Sequence, residues 1–91
     1  MSKIRAHIYV TGKVQAVFFR QNTKRQAQKR GICGWVSNLS DGRVEAVFEG
    51  EEVAVKEVVD YCRHGPLFAK VTCVEAVFEA YTGDFSDFQI I

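Results

Sequence analysis

The spacing of the apolar residues switches along the chain between a period of two and a period near 3.6. In 91 residues this switching constrains the fold more than any other feature. From Ile4 to Thr11 the pattern alternates: Ile4, Ala6, Ile8 and Val10 share one face, and Arg5, His7, Tyr9 and Thr11 the other. That is the signature of a half-buried strand, and Gly12 breaks it. Arg20 to Arg30 is rich in Gln, Lys, Arg and Ala, which favour helix. Phe19, Thr23 and Ala27 recur there at a spacing of four, and Gly31 suits the left-handed residue that closes a helix. Two strands follow, Trp35–Leu39 and Arg43–Glu49, joined through Asp41-Gly42, a strong hairpin signal. In the second, Val44, Ala46 and Phe48 point inward, and Glu45 and Glu49 are expected to point to solvent. Glu51 to Arg63 carries Val55, Val58, Val59 and Cys62 at i, i+3, i+4 and i+7, an apolar helical stripe, which Gly65-Pro66 stops. Lys70 to Tyr81 reads as a long strand whose phase changes between Cys73 and Val74, predicting a bulge. Asp87 to Ile91 is a short last strand with Phe88 and Ile90 inward.

The order is β-α-β-β-α-β with a fifth strand. It predicts an α+β, ferredoxin-like βαββαβ sandwich, an antiparallel sheet with two helices on one face. Hydrophobic residues are 47% of the chain and charged residues 25%, enough apolar surface for one core. A single domain over residues 1–91 is expected, and a disordered or coiled-coil chain is excluded.

The formal net charge is +1, so overall electrostatics directs the chain toward neither nucleic acid nor anionic membrane. Anion binding has to come from local placement. No apolar run approaches the ~20 residues that span a bilayer, and no signal-peptide stretch follows Met1-Ser2-Lys3-Ile4-Arg5. A cytoplasmic protein with no membrane association is expected. Cys33, Cys62 and Cys73 are three cysteines without CxxC spacing, which argues against a zinc site or a complete disulfide framework. They are expected to be buried reduced thiols; a single bridge stays open, because sequence separation does not report Cα distance.

Two segments carry candidate chemistry. Gly12-Lys13-Val14-Gln15-Ala16-Val17-Phe18-Phe19-Arg20 joins the first strand to the first helix. Backbone N–H groups of such a loop and of the helix's first turn can converge on an anion. The Arg20 guanidinium offers a fork matched to phosphate or carboxylate. Gly34-Trp35-Val36-Ser37-Asn38-Leu39-Ser40-Asp41-Gly42 places Asn38, a residue disfavoured in strands, on the face of Gly34 and Val36. Each segment read alone has a plainer account: a turn with a solvated Arg, and an Asn bonded to its own hairpin.

Together the segments read Gly-x-Val-Gln-x-Val-x-Phe-Arg, ending at Arg20, and Gly-Trp-Val-x-Asn-x-x-Asp-Gly-x-Val-Glu, starting at Gly34. This pair closely resembles the acylphosphatase family. The resemblance extends to Ala27, Gly31, Gly50, Gly65-Pro66, Ala69-x-Val71 and Phe88-x-Ile90, nearly the whole chain. It implies the same sandwich and hydrolysis of acyl phosphates to carboxylate and inorganic phosphate. By the resemblance, Arg20 and the main-chain amides of Gln15, Ala16, Val17, Phe18 and Phe19 hold the phosphoryl group. Asn38 orients the attacking water, and no metal or organic cofactor takes part. One departure stands inside the loop, where Ala16 replaces the family's usual Gly. If that position needs positive φ, Ala costs about 1–2 kcal/mol of local strain. The alternative function is therefore a phosphate- or acyl-phosphate-binding module with weak catalysis.

The remaining residues are expected to be structural. Lys24, Arg25, Lys29 and Arg30 form a solvated helix face, and Asp41 is a turn residue. Phe18 and Phe19 are core or loop anchors rather than substrate platforms, and Trp35 packs beside the site. The third strand lacks the exposed aromatics of RNA-recognition modules, so no nucleic acid is expected. His7 and His64 are not expected to ligate metal. Acylphosphatase-like domains also occur inside larger carbamoyl-phosphate-handling proteins, but no zinc-binding or transferase segment follows here. A free-standing monomer acting on a small acyl phosphate is expected. No segment reads as a pocket for the acyl half.

Overall fold

The computed structural model describes residues 2–91. Its elements are β1 (Lys3–Lys13), α1 (Phe19–Lys29), β2 (Cys33–Asn38), β3 (Val44–Glu51), α2 (Glu52–His64), β4 (Lys70–Ala80) and β5 (Phe88–Ile90). The strands form one sheet in the order β4-β1-β3-β2-β5. The first four pair antiparallel, as expected for the βαββαβ sandwich. The short β5 adds to β2 in parallel, so the sheet is not wholly antiparallel.

The alternation read in β1 and β3 decides which face is dry. Ala6, Ile8, Val10, Val44, Ala46 and Phe48 are buried, and they join Thr23 and Ala27 of α1 and Val55, Val58, Val59 and Cys62 of α2 beneath both helices. Both helices therefore cover the same face. Gly34 of β2 lies in register between Phe48 of β3 and Phe88 of β5. It carries no side chain, and the two rings stack at 5.6 Å between centroids. A Cβ at Gly34 would stand 1.9 Å from the Val47 carbonyl oxygen, so no other residue fits that row.

Four expectations change. The irregularity in β4 falls at Thr72, one residue before the predicted bulge: the pairing steps from Thr11↔Cys73 to Gly12↔Val71. Cys62 is buried, Cys33 half-buried and Cys73 exposed, and all three are free thiols. Cys73 is exposed because it pairs with Thr11 on the sheet face away from the helices, out of phase with Val74. Glu49, expected in solvent, is 2% exposed. It accepts hydrogen bonds from the Thr82 amide (3.0 Å) and hydroxyl (2.6 Å) and from the Gly83 amide (3.1 Å), so the segment after β4 folds over it. Trp35 points to the sheet face away from the helices, where its ring meets His7 edge-on at 6.2 Å. It packs, as expected, but on the opposite face from Asn38. Among the described residues, no helix is long and apolar enough to cross a membrane.

Candidate active site

The site is assembled at one edge of the sheet. Val74, Val10, Val44 and Asn38 stand in one cross-strand row. In that row β2 finishes and β3 begins, and β1 continues three residues further along β4 to Lys13. The loop of residues 14–18 leaves from this edge, and α1 starts there before running back across the sheet. Arg20, in the first turn of α1, and Asn38, the last residue of β2, therefore occupy the same end of the molecule.

The loop is tied to the hairpin by a side chain. Gln15 Nε2 donates to the carbonyl oxygens of Leu39 (2.7 Å) and Arg43 (3.0 Å), the two residues whose backbones close the β2–β3 turn. Val14 and Val17 anchor the loop from below, buried in the core. Within it Ala16 (φ 58°) and Phe18 (φ 63°) are left-handed and flank Val17, which is not. Alternating hand turns successive N–H groups toward one side, the geometry of an anion-binding nest. Among the described residues, no protein oxygen accepts from the N–H groups of residues 15–18. The first turn of α1 adds to this. Phe18 occupies the N-cap position without a side-chain cap, and the turn holds no acidic residue, so its unpaired N–H groups keep their partial positive charge.

Arg20 is half-buried, and among the described residues no carboxylate lies within ion-pair distance of it. Its charge is uncompensated, and its backbone lies two residues beyond the loop, in the first turn of α1. The Asn38 side-chain oxygen is buried with no hydrogen-bond partner. The plainer account, an Asn bonded to its own hairpin, does not hold: the turn is closed without it. Leu39 N–H donates to Arg43 O (2.8 Å) and Gly42 N–H to Leu39 O (3.2 Å). Asp41 accepts from the Arg43 amide (3.1 Å) and guanidinium (2.8 Å), which hold its carboxyl below the usual carboxylate range. Asp41 is thus a turn residue, as expected. A buried acceptor without a donor is costly in a folded protein, and here it lies at the edge where the loop of residues 14–18 arrives.

Sequence reasoning placed the loop residues and Arg20 correctly at the strand-to-helix junction. It missed two features. One is the Gln15 side chain, whose partners are 24 and 28 residues away; a Gln in a loop carries no local sign of such a tie. The other is Phe18. Phe19 is a core anchor at 2% exposed, but Phe18 is 67% exposed because its left-handed backbone turns it away from the core.

Comparison with known proteins bears on the fold and the family. The acylphosphatase family model matches residues 6–90. The chain is 51% identical over 87 residues to an acylphosphatase of Syntrophus aciditrophicus, covering 96% of this chain and 91% of that one. It is 51% identical over 92 residues to an acylphosphatase of Pyrobaculum islandicum, covering 100% and 97%. The crystal structure of acylphosphatase from Bacillus subtilis superposes with a TM-score of 0.93 at 36% identity, covering 97% of this chain and 98% of that one.

Proposed function

The chain belongs to the acylphosphatase family and is an acyl-phosphate hydrolase, and from that premise we propose that it works through Arg20, the amides of residues 15–19 and Asn38. The observation that carries the reading is the Gln15 tie, which holds the anion loop against the hairpin turn that follows Asn38. The substrate is a mixed carboxylic–phosphoric anhydride. Its carboxylate leaves readily, so catalysis needs positioning and charge stabilisation more than acid chemistry.

Each group has one task. The N–H groups of Gln15, Ala16, Val17, Phe18 and Phe19 and the Arg20 guanidinium hold the phosphoryl oxygens as charge redistributes over them. The Asn38 carboxamide cannot take a proton at neutral pH, but its unpartnered oxygen can accept from a water and aim it at phosphorus. The water oxygen bonds to phosphorus and the bond from phosphorus to the acyl oxygen breaks. The acyl group leaves as carboxylate, and the water's proton passes to a phosphoryl oxygen, giving inorganic phosphate. These roles require neither metal nor organic cofactor, so activity should survive chelation. We further infer that the protein acts as a cytoplasmic monomer on small acyl phosphates, without nucleic acid.

Release of phosphate from benzoyl phosphate tests the reading. Arg20→Ala should lower kcat by about 10²–10³, in line with the ~3–4 kcal/mol lost with a preorganised donor. Asn38→Ala should lower kcat while the inhibition constant of inorganic phosphate stays the same. Wild-type turnover no faster than the blank, or Arg20→Ala as fast as wild type, would falsify it. Phosphate binding without turnover would leave a binding module.

A further inference from the structure

Three large apolar side chains stand in solvent beside the anion loop: Phe18 is 67%, Leu67 88% and Phe68 70% exposed. With Val17, Asn22 and Pro66 they line a cleft of about 280 Å³. One wall, Val17 and Phe18, is the anion loop itself. The other is the connection from α2 to β4, and the two are packed firmly together. Gly65, at φ +71°, lies so close to Phe19 that a Cβ there would stand 2.8 Å from its ring, and the connection is closed by a turn from Ala69 N–H to Pro66 O (3.0 Å). The cleft is therefore built on a buried residue at the start of α1, not on loose chain.

Its composition selects an occupant. None of its lining residues is charged, and the Asn22 amide is already committed, donating to the Phe18 carbonyl oxygen (2.9 Å). Exposed clustered apolar groups are disfavoured in water and mark binding surfaces. A bulky residue in the left-handed region adds backbone strain that concentrates at functional sites. An acyl phosphate has two halves, and the loop amides take only one. The geometry points to this cleft as the acyl subsite: with the phosphoryl group on the loop, an apolar acyl group lies against Phe18, Leu67 and Phe68. The inference rests on the proposed assignment of the loop and Arg20 to the phosphoryl half. It makes the enzyme selective for aromatic and aliphatic acyl phosphates over short or charged ones.

The test compares benzoyl phosphate with acetyl phosphate in a Leu67→Ser/Phe68→Ser variant. Both residues are exposed and outside the loop, so the fold should be retained, with thermal unfolding as the check. The ratio of kcat/KM for benzoyl over acetyl phosphate should fall on the order of 10–100-fold relative to wild type. Acetyl phosphate turnover and the inhibition constant of inorganic phosphate should change less than about twofold. The ratio cancels the different intrinsic reactivities of the two anhydrides. An unchanged ratio overturns the acyl subsite, as does an equal loss on both substrates. A concentration-dependent dimer that the variant abolishes, with selectivity intact, overturns it in favour of a protein interface. Arg20→Ala is assayed in parallel. Full activity in that variant would remove the reading of the loop, whereas a strong loss there with an unchanged ratio would remove the acyl subsite alone.

Discussion

Ala16 is the residue at which local conformation and chemistry conflict. Its φ of 58° lies where a Cβ approaches the following carbonyl, at a cost of about 1–2 kcal/mol, and the family's usual glycine would avoid this. The condition set by the sequence, a positive φ at this position, is met. Ala16→Gly should relieve the strain and raise kcat/KM for benzoyl phosphate severalfold. Equal or lower activity at unchanged thermal stability would show that the alanine amide is already well placed. Phe18, two residues on, has the same hand. Nothing in a Val-Phe-Phe run says which ring is swallowed by the core, because the choice follows from the backbone turn between them.

At the scale of elements, the strand-to-helix loop and the β2–β3 hairpin act as one unit. The two hydrogen bonds from Gln15 join them, and each such bond contributes about 1 kcal/mol net. Gln15→Ala should lower stability by about 1–2 kcal/mol in chemical denaturation. It should also raise the inhibition constant of inorganic phosphate, since the loop amides lose their brace while Arg20 and Asn38 are untouched. A stability loss with phosphate affinity intact would confine the tie to folding. The elements themselves were legible: α1 buries Phe19, Thr23 and Ala27, and α2 buries Val55, Val58, Val59 and Cys62, as their spacing predicts. Strand ends moved by one or two residues and the β4 bulge by one, because the pairing partner, not the strand's own pattern, sets where a ladder slips.

At the scale of the molecule, the segment between β4 and β5 has to recross the sheet before β5 can pair with β2, and Glu49 holds it. Burial pushes the Glu49 carboxyl pKa up. The Thr82 hydroxyl and amide, the Gly83 amide and Arg5 outweigh that and leave it below the usual carboxylate value. A depressed folded-state pKa means that this contribution to stability is fully present above the unfolded-state value. It is lost as pH falls through the folded-state value. Glu49→Gln should therefore destabilise the protein by about 1–3 kcal/mol at neutral pH. It should also flatten the acid limb of the stability-against-pH curve, measured by thermal unfolding. An unchanged acid limb would assign the pH dependence to other carboxyls.

The chain's local pattern was sufficient for the elements, for the face each one buries and for the sandwich, because periods of two and 3.6 are properties of neighbouring residues. The paired motifs were sufficient for the family. Tertiary structure alone decided that β5 runs parallel to β2, that Glu49 is covered, that Gln15 spans to the hairpin and that Phe18 meets Leu67 and Phe68 in a cleft. Each of these is a meeting of segments distant in sequence. Such meetings follow from how the whole chain closes over its core, which no window of neighbouring residues contains.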